Sequence, residues 1–568
     1  MSKTLLTVVF WLCCITVQAQ SKDSVTVNFK LLFDHKPLQL KQSYVTVNKD
    51  TVTISTFKCY VSDIAIQYTD QTVHYEKNSY HLLDSEIPNS MQIRFPQVKE
   101  KVISKVIFKI GIDSITNTSG ALSGDLDPVK GMYWAWQSGY INLKIEGQSP
   151  SCKTRKQQFQ FHLGGYLPPY NALRTKVIPV TIANDNTVNI GMDLAVFLAE
   201  VNLAITPAVM TPGKTAMELA TLVPKCSIQN EKNRFHTWHC VIGWGILALS
   251  DNLTTPIYLA IPEGWPKPHY NFKQNPLTEE GFQLGRQLFY DPILSRDNTI
   301  SCSSCHLQAT GFAHVDHDLS HGIEGRIGTR NAPALINLAW NKHFHWDGGV
   351  NNLEVQALNP IENPTEMDEK MENVIAKLQQ REDYKLLFKK AFEDEKITSQ
   401  RILKALAQFT VQLQSSNSKY DQVKRNETTF SHQEANGYAL FQRHCAGCHI
   451  EPLFSSDSFE NNGLPVDATL QDYGRVKITG LEKDALHFKV PTLRNIQFTF
   501  PYMHDGRFKT LTEVIKHYNT IQPNQHTAAT FSKPMQLSDK DRVDLVVFLQ
   551  TLTDKAFLFN PRYAYPKK

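Results

Sequence analysis

Two copies of one short pattern constrain this chain more than anything else in it. Cys302-Ser303-Ser304-Cys305-His306 is matched by Cys445-Ala446-Gly447-Cys448-His449. Cys-x-x-Cys-His is the attachment signature of a c-type haem: two thiols on one turn add to the porphyrin vinyl groups, and the adjacent imidazole ligates the iron. Two copies predict two covalently bound haem c groups, anchored by Cys302, Cys305, Cys445 and Cys448, with His306 and His449 on the irons. A redox or zinc Cys-x-x-Cys is the alternative, but it gives no reason for a histidine to follow at both places.

At 568 residues the chain has room for roughly three or four domains. Its 59 basic and 55 acidic residues leave a net charge of +4, so no nucleic-acid-binding surface is expected. Residues 1–20 read as an export signal: Lys3, an apolar run from Leu5 to Val17, then Val17-Gln18-Ala19. Cleavage there predicts a periplasmic protein with no spanning segment; cleavage at Cys13 or Cys14, as in a lipoprotein, is the alternative. Export suits the haems, because c-type attachment occurs outside the bacterial cytoplasm. Cys59, Cys152, Cys226 and Cys240 then remain for disulfides, in any of three pairings, or as free thiols.

Residues 24–225 read as an all-β sandwich. Val25-Thr26-Val27-Asn28-Phe29 alternates, Val102 to Ile110 is a β-branched run, and Asp127-Pro128 marks a turn. Within this stretch Met132-Tyr133-Trp134-Ala135-Trp136 concentrates aromatic residues. Two positions apart, Trp134 and Trp136 share one face if the segment is a strand. A core or sheet-surface patch is the ordinary use of such a pair. Residues 226–256 form a linker containing the apolar run Cys240 to Ser250. That run is too short to cross a membrane, which takes about twenty residues; it reads as a relic export signal or a buried linker.

From 24 to about 215 the chain resembles the MbnP family of exported copper-binding β proteins. The resemblance rests on Tyr60-Val61-Ser62-Asp63-Ile64, Gly124-Asp125-Leu126-Asp127-Pro128, the Met-x-Trp-x-Trp segment and His162. It implies a copper site in which a tryptophan is oxidised to kynurenine, with Trp134 and Trp136 as the oxidisable residues and His162 as a ligand. An imidazole suits copper in any case.

Beyond Ile257 the pattern turns helical. Phe282, Leu284, Leu288 and Phe289 fall near one side of a helix capped by Thr278, and Gln433 to Arg443 repeats that arrangement before the second haem motif. This predicts two mainly α cytochrome c domains, 257–425 and 426–560, closed by helices over Ile402–Leu413 and Leu537–Leu552.

This half resembles the bacterial di-haem cytochrome c peroxidase family, and within it the MauG branch. The motifs are Arg330-Asn331-Ala332-Pro333, Phe344-His345-Trp346-Asp347-Gly348, Leu353-Glu354-Val355-Gln356, Asn363-Pro364-Thr365-Glu366-Met367, Val490-Pro491-Thr492-Leu493-Arg494-Asn495 and Pro501-Tyr502-Met503-His504-Asp505-Gly506. Peroxide chemistry needs a vacant iron position and a base that shifts a proton between the two oxygens. The resemblance gives that role to Glu366, with Gln356 and Pro360 in the same pocket and Trp346 carrying electrons between the haems. A solvated acid and a core tryptophan are the ordinary readings of Glu366 and Trp346.

His314, His317 and His321 follow the first haem motif, but none stands where the family's removable distal histidine aligns, near Ile323. An open or water-bound iron is expected, with His321 as the alternative weak ligand. Fourteen residues after His504, where electron-accepting peroxidases carry an axial methionine, this chain has Tyr518. A thioether raises haem potential; a phenolate favours the higher oxidation states, as the MauG branch requires. Met503, Met535 and His517 are the fallback ligands. Asn331, Thr499 and Pro501 match family positions that hold calcium, and oxygen-only ligation suits that ion. The relay tryptophan that MauG carries just before its second haem motif is Arg443 here.

The expectation is therefore an exported enzyme fused to its own substrate, in which hydrogen peroxide oxidises the di-haem centre and the centre oxidises Trp134 or Trp136. The alternatives are a cytochrome c peroxidase drawing electrons from a small cytochrome c, and a copper or electron carrier without turnover.

Overall fold

A computed structural model describes residues 24–566, apart from 77–78, 97–101, 155, 181–186, 230–253, 316, 523–526 and 528–532. The export signal and the apolar run Cys240 to Ser250 lie outside the described residues. No helix among the described residues is long and apolar enough to cross a membrane.

The chain divides into two compact units. The first takes the described residues up to Ile112, Asn142–Gly164 and those from Tyr170 to Gln229; the second takes Asp113–Ile141, Gly165–Pro169 and those from Thr254 onward.

The first unit is built on two sheets. In one, β1 (Ser24–Phe33) runs parallel to Thr187–Asp193 and antiparallel to Gln92–Pro96. The other is organised around β2 (Thr51–Tyr68), which pairs with β3 (Ile103–Ile110) on one side and β4 (Ile141–Gln148) on the other; β5 (Gln158–Gly164) lies beyond β4. Side chains alternate across a pleated strand, so Val25, Val27 and Phe29 of β1 point one way. They meet Ile54, Phe57, Val106 and Phe108 of the second sheet in one apolar core. Cys59, Cys152 and Cys226 are buried in it as free thiols. Burial, and the proximity of Cys226, push the Cys59 thiol up to about 12.

The second unit contains two helical repeats. α1 (Glu279–Tyr290) starts where the Thr278 side chain accepts the Gly281 N–H, with Glu279 and Glu280 in a first turn that favours negative charge. It crosses α2 (Ser399–Thr410) at Gly285, where an added Cβ would stand 1.9 Å from the Ala405 carbonyl oxygen. α3 (His432–His444) crosses α4 (Asp539–Gln550) in the same way at Gly437, 2.0 Å from the Asp544 oxygen. Glycine lets each pair of backbones touch. Four residues on from each glycine, Phe289 and Phe441 are buried in the two helical cores.

Residues 113–141, read above as part of the β domain, cluster with the second unit. Met132–Trp136 is not a strand: the segment is irregular, held by an isolated bridge between Tyr133 and Tyr140. Gly131, with φ of 68°, turns the chain into it. Trp134 is 5% exposed and Trp136 36%, with ring centroids 6.4 Å apart and planes inclined by 54°. Ala121 and Ala135 join the apolar cluster of the helical unit, the Ala121 N–H donates to Glu354 Oε2 (3.1 Å), and Ser399 bonds to Asp127.

Candidate active site

The first haem motif lies on a single helical turn, Cys302–Cys305, opened by a reciprocal cap between Ser301 and Ser304. The turn brings both thiols to one side and sets His306 at its end. His306 Nδ1 lies 2.8 Å from the Phe312 carbonyl oxygen. A carbonyl only accepts, so Nδ1 carries the proton and Nε2 keeps the lone pair that an iron needs. The second motif follows the end of α3, and His449 Nδ1 faces the Phe454 and Pro491 carbonyls at 3.2 and 3.1 Å. Burial pulls both imidazoles down to about 4, keeping them neutral ligands at ordinary pH.

One continuous cavity contains Cys305, His306, Cys445, Cys448 and His449 in its wall. Two sets of thiols and neutral imidazoles in one largely apolar cavity fit two covalently held haems. Trp346 belongs to the same wall, its indole N–H donating to the Asn331 carbonyl (2.9 Å) and its own carbonyl accepting the Lys489 N–H (2.7 Å).

Glu366 and Gln356 also line the cavity, with Pro360. Burial raises the Glu366 carboxyl above its usual range, partly opposed by the Asn363 amide, whose Nδ2 donates to Glu366 Oε1 at 2.9 Å. Glu366 bears electrostatically on Cys302 and Cys305, which sets it beside the first haem motif. Its carbonyl accepts the Ile323 N–H (2.9 Å), and an added Cβ at Gly322 would lie 2.2 Å from that oxygen. Gly322 therefore lets the loop after the first motif close onto Glu366.

Tyr518, on the helix Leu511–Thr520, is in the wall beside the second motif. Burial and the neighbouring Cys445 and Cys448 push its hydroxyl up to about 12, against a hydrogen bond from Asn462. Met503 and Met535 share the cavity; Asn462 Nδ2 also reaches the Met503 sulfur at 3.3 Å. His517 is not in the wall, and its Nε2 is engaged by the Asn462 carbonyl at 3.0 Å.

Asn331, Thr499 and Pro501 contribute to the same wall. The Asn331 Nδ2 donates to the Asp318 carbonyl (3.2 Å), so Oδ1 is the side-chain atom suited to a cation. The preceding Arg330 is locked between Asp347 (2.5 Å) and Asp472 (2.6 and 2.9 Å), and against the cost of burial its guanidinium holds Asp472 well below the usual carboxylate range.

His162 is on β5 in the first unit, whereas Trp134 and Trp136 belong to the second. Its Nε2 meets Glu146 Oε1 at 2.7 Å, and this contact holds the Glu146 carboxyl down at about 2. Among the described residues no group of three histidine, cysteine or carboxylate ligands includes His162.

Sequence reasoning passed over His345, a buried imidazole in the cavity wall whose Nδ1 lies 3.3 Å from Asn359 Nδ2. It also passed over Asn363 and Asn462, which orient Glu366 and Tyr518. Asn363 begins the Asn-Pro-Thr-Glu motif, so its spacing from Glu366 was a usable signal; nothing local marks Asn462.

The family model "Di-haem cytochrome c peroxidase" matches residues 279–429, "Cytochrome c" matches 434–553, and "MbnP" matches 22–211. The chain is 36% identical to the methylamine utilization protein MauG of Methylorubrum extorquens over 51% of this chain and 82% of the relative. It is 37% identical to the cytochrome c551 peroxidase of Nitrosomonas europaea over 48% of this chain and 79% of the relative. Among solved structures, a MauG-like protein associated with microbial copper homeostasis is 32% identical, with a TM-score of 0.50 over 55% of this chain and 99% of its own. The chain thus belongs to the di-haem cytochrome c peroxidase family and carries an MbnP domain at its amino terminus.

Proposed function

We propose that this peroxidase uses hydrogen peroxide to oxidise Trp134 or Trp136 of its own MbnP domain. The observation that carries the reading is the packing of that segment within the unit that also contains the haem cavity. The Ser138 N–H donates to the Gly349 carbonyl (2.8 Å), Gln137 Nε2 donates to the Ile478 carbonyl (2.9 Å), and a Cβ at Gly349 would lie 2.5 Å from the Trp136 oxygen. Gly349 stands three residues from Trp346.

Haem c, when bound, supplies redox iron that accepts the oxidising equivalents of peroxide. Glu366 takes the proton from one peroxide oxygen onto a carboxylate oxygen and returns it to the other, so that the O–O bond breaks with loss of water. Asn363 keeps that carboxylate aimed. Trp346 passes electrons, and His306 and His449 present Nε2 to the irons. Tyr518, steadied by Asn462, would hold the second iron through its phenol oxygen. Per peroxide, one oxygen is added to the indole and one leaves as water. The proposal includes calcium at Asn331, Thr499 and Pro501, copper on His162 with Glu146 fixing the ring, and a periplasmic location.

Peroxide treatment of the haem-loaded protein should add oxygen, in steps of about 16 Da, to the peptide carrying Trp134 and Trp136, read by mass spectrometry. Trp134→Phe and Trp136→Phe identify which residue takes it. No added oxygen on either tryptophan rejects the reading.

A second reading, a peroxidase fed by a small cytochrome c, is favoured by Met503 and Met535 sharing the cavity with Tyr518. Electron paramagnetic resonance separates the two. Signals that change in Tyr518→Met support tyrosine ligation, whereas signals that stay the same support methionine.

A further inference from the structure

His314, His317 and His321 stand three and four positions apart, on a loop rather than a helix. The fold has brought their rings together. Centroids lie 5.2 Å apart for His314 and His317, 5.0 Å for His314 and His321, and 4.8 Å for His317 and His321. One nitrogen from each ring lies within 4.8 Å of the others.

The loop is pinned at both ends. Leu307 bridges Ala313 just before His314, and His321 itself bridges Ile327. The Ser320 N–H donates to the Arg330 carbonyl (2.9 Å), Asn331 holds the Asp318 carbonyl, and Lys509 pairs with the Asp318 carboxylate.

None of the three histidines is in the wall of the haem cavity. His321, the alternative weak ligand of the first haem, turns its ring toward the other two imidazoles. His321 Nδ1 is buried and has no hydrogen-bond partner among the described residues. Such a nitrogen is a cost to the fold unless something binds it. His314 is 2% exposed, while His317 opens to solvent and gives an incoming ion a path.

We propose that His314, His317 and His321 form a binding site for a divalent first-row transition ion, separate from the haem irons. Neutral imidazoles are preferred ligands of zinc, copper and nickel. A tetrahedral ion bound at about 2.0–2.1 Å needs nitrogens roughly 3.4 Å apart, so the three imidazoles, whose nitrogens lie within 4.8 Å of one another, draw together on binding. Three ligands leave a fourth position for water. The site does not depend on the peroxide reading.

The test uses haem-loaded protein, stripped with a chelator and titrated with zinc(II) by equilibrium dialysis. His162→Ala serves as the background, so that the other candidate imidazole is absent. In that background the protein should bind one zinc that His317→Ala loses or holds at least tenfold more weakly, with the haem spectrum unchanged. Zinc-edge X-ray absorption of the loaded form should show imidazole nitrogens at about 2.0–2.1 Å. His321→Ala gives an independent second loss. Equal zinc content and affinity with and without His317, or a zinc site without imidazole ligation, overturns the proposal.

Discussion

Glu366 is a carboxylate whose usefulness comes from where it is kept. Burial raises its pKa, and the Asn363 amide holds its orientation. A base works only when ionised, so peroxide reactivity should rise with pH through a value above the ordinary 4.5. Glu366→Gln should remove that limb and slow the reaction by about 10²–10⁴-fold while leaving the haem spectrum intact, as measured by stopped-flow mixing with peroxide. Glu146 is the opposite case. Contact with His162 lowers it to about 2, so its contribution to stability is present above pH 4.5 and is lost as the pH falls toward 2. Partly exposed and screened, that contribution is about 1 kcal/mol. Denaturant unfolding should find Glu146→Gln less stable than the parent by that amount at pH 7, with the gap closing in acid.

Between elements, glycine decides what can touch. Gly285 and Gly437 let each haem repeat close α1 on α2 and α3 on α4 at backbone contact. Gly349 does the same for the tryptophan segment, because nothing larger fits beneath the Trp136 carbonyl. Gly349→Ala should push that segment away at a cost of about 1–3 kcal/mol in local packing. Tryptophan oxygenation, read by mass spectrometry, should then fall much further than peroxide consumption. Equal loss of both would mean that the substitution had damaged the haem site itself.

Across the whole molecule, the two haem repeats meet in one cavity, and residues that join them control both. Asn331 is one such residue: its carbonyl holds the Trp346 indole, and its side chain belongs to the proposed calcium site. Removing calcium with a chelator should slow peroxide reactivity, and adding calcium back should restore it; kinetics before and after chelation measure this.

The covalent chemistry was legible because it is local. Each haem motif is five consecutive residues on one turn, and no distant part of the chain is needed to read it. Thr278 as a helix cap, the alternation of Val25, Val27 and Phe29, and the repeated helices were legible for the same reason: caps and periodicity act within a few residues. Tertiary structure decided the rest, namely which unit holds Trp134 and Trp136, that His321 turns toward His314 and His317, and that Asn462 reaches Tyr518. Each depends on side chains remote in sequence meeting in a packed interior. Packing is selected by shape and volume over the whole fold, and no spacing along the chain records it.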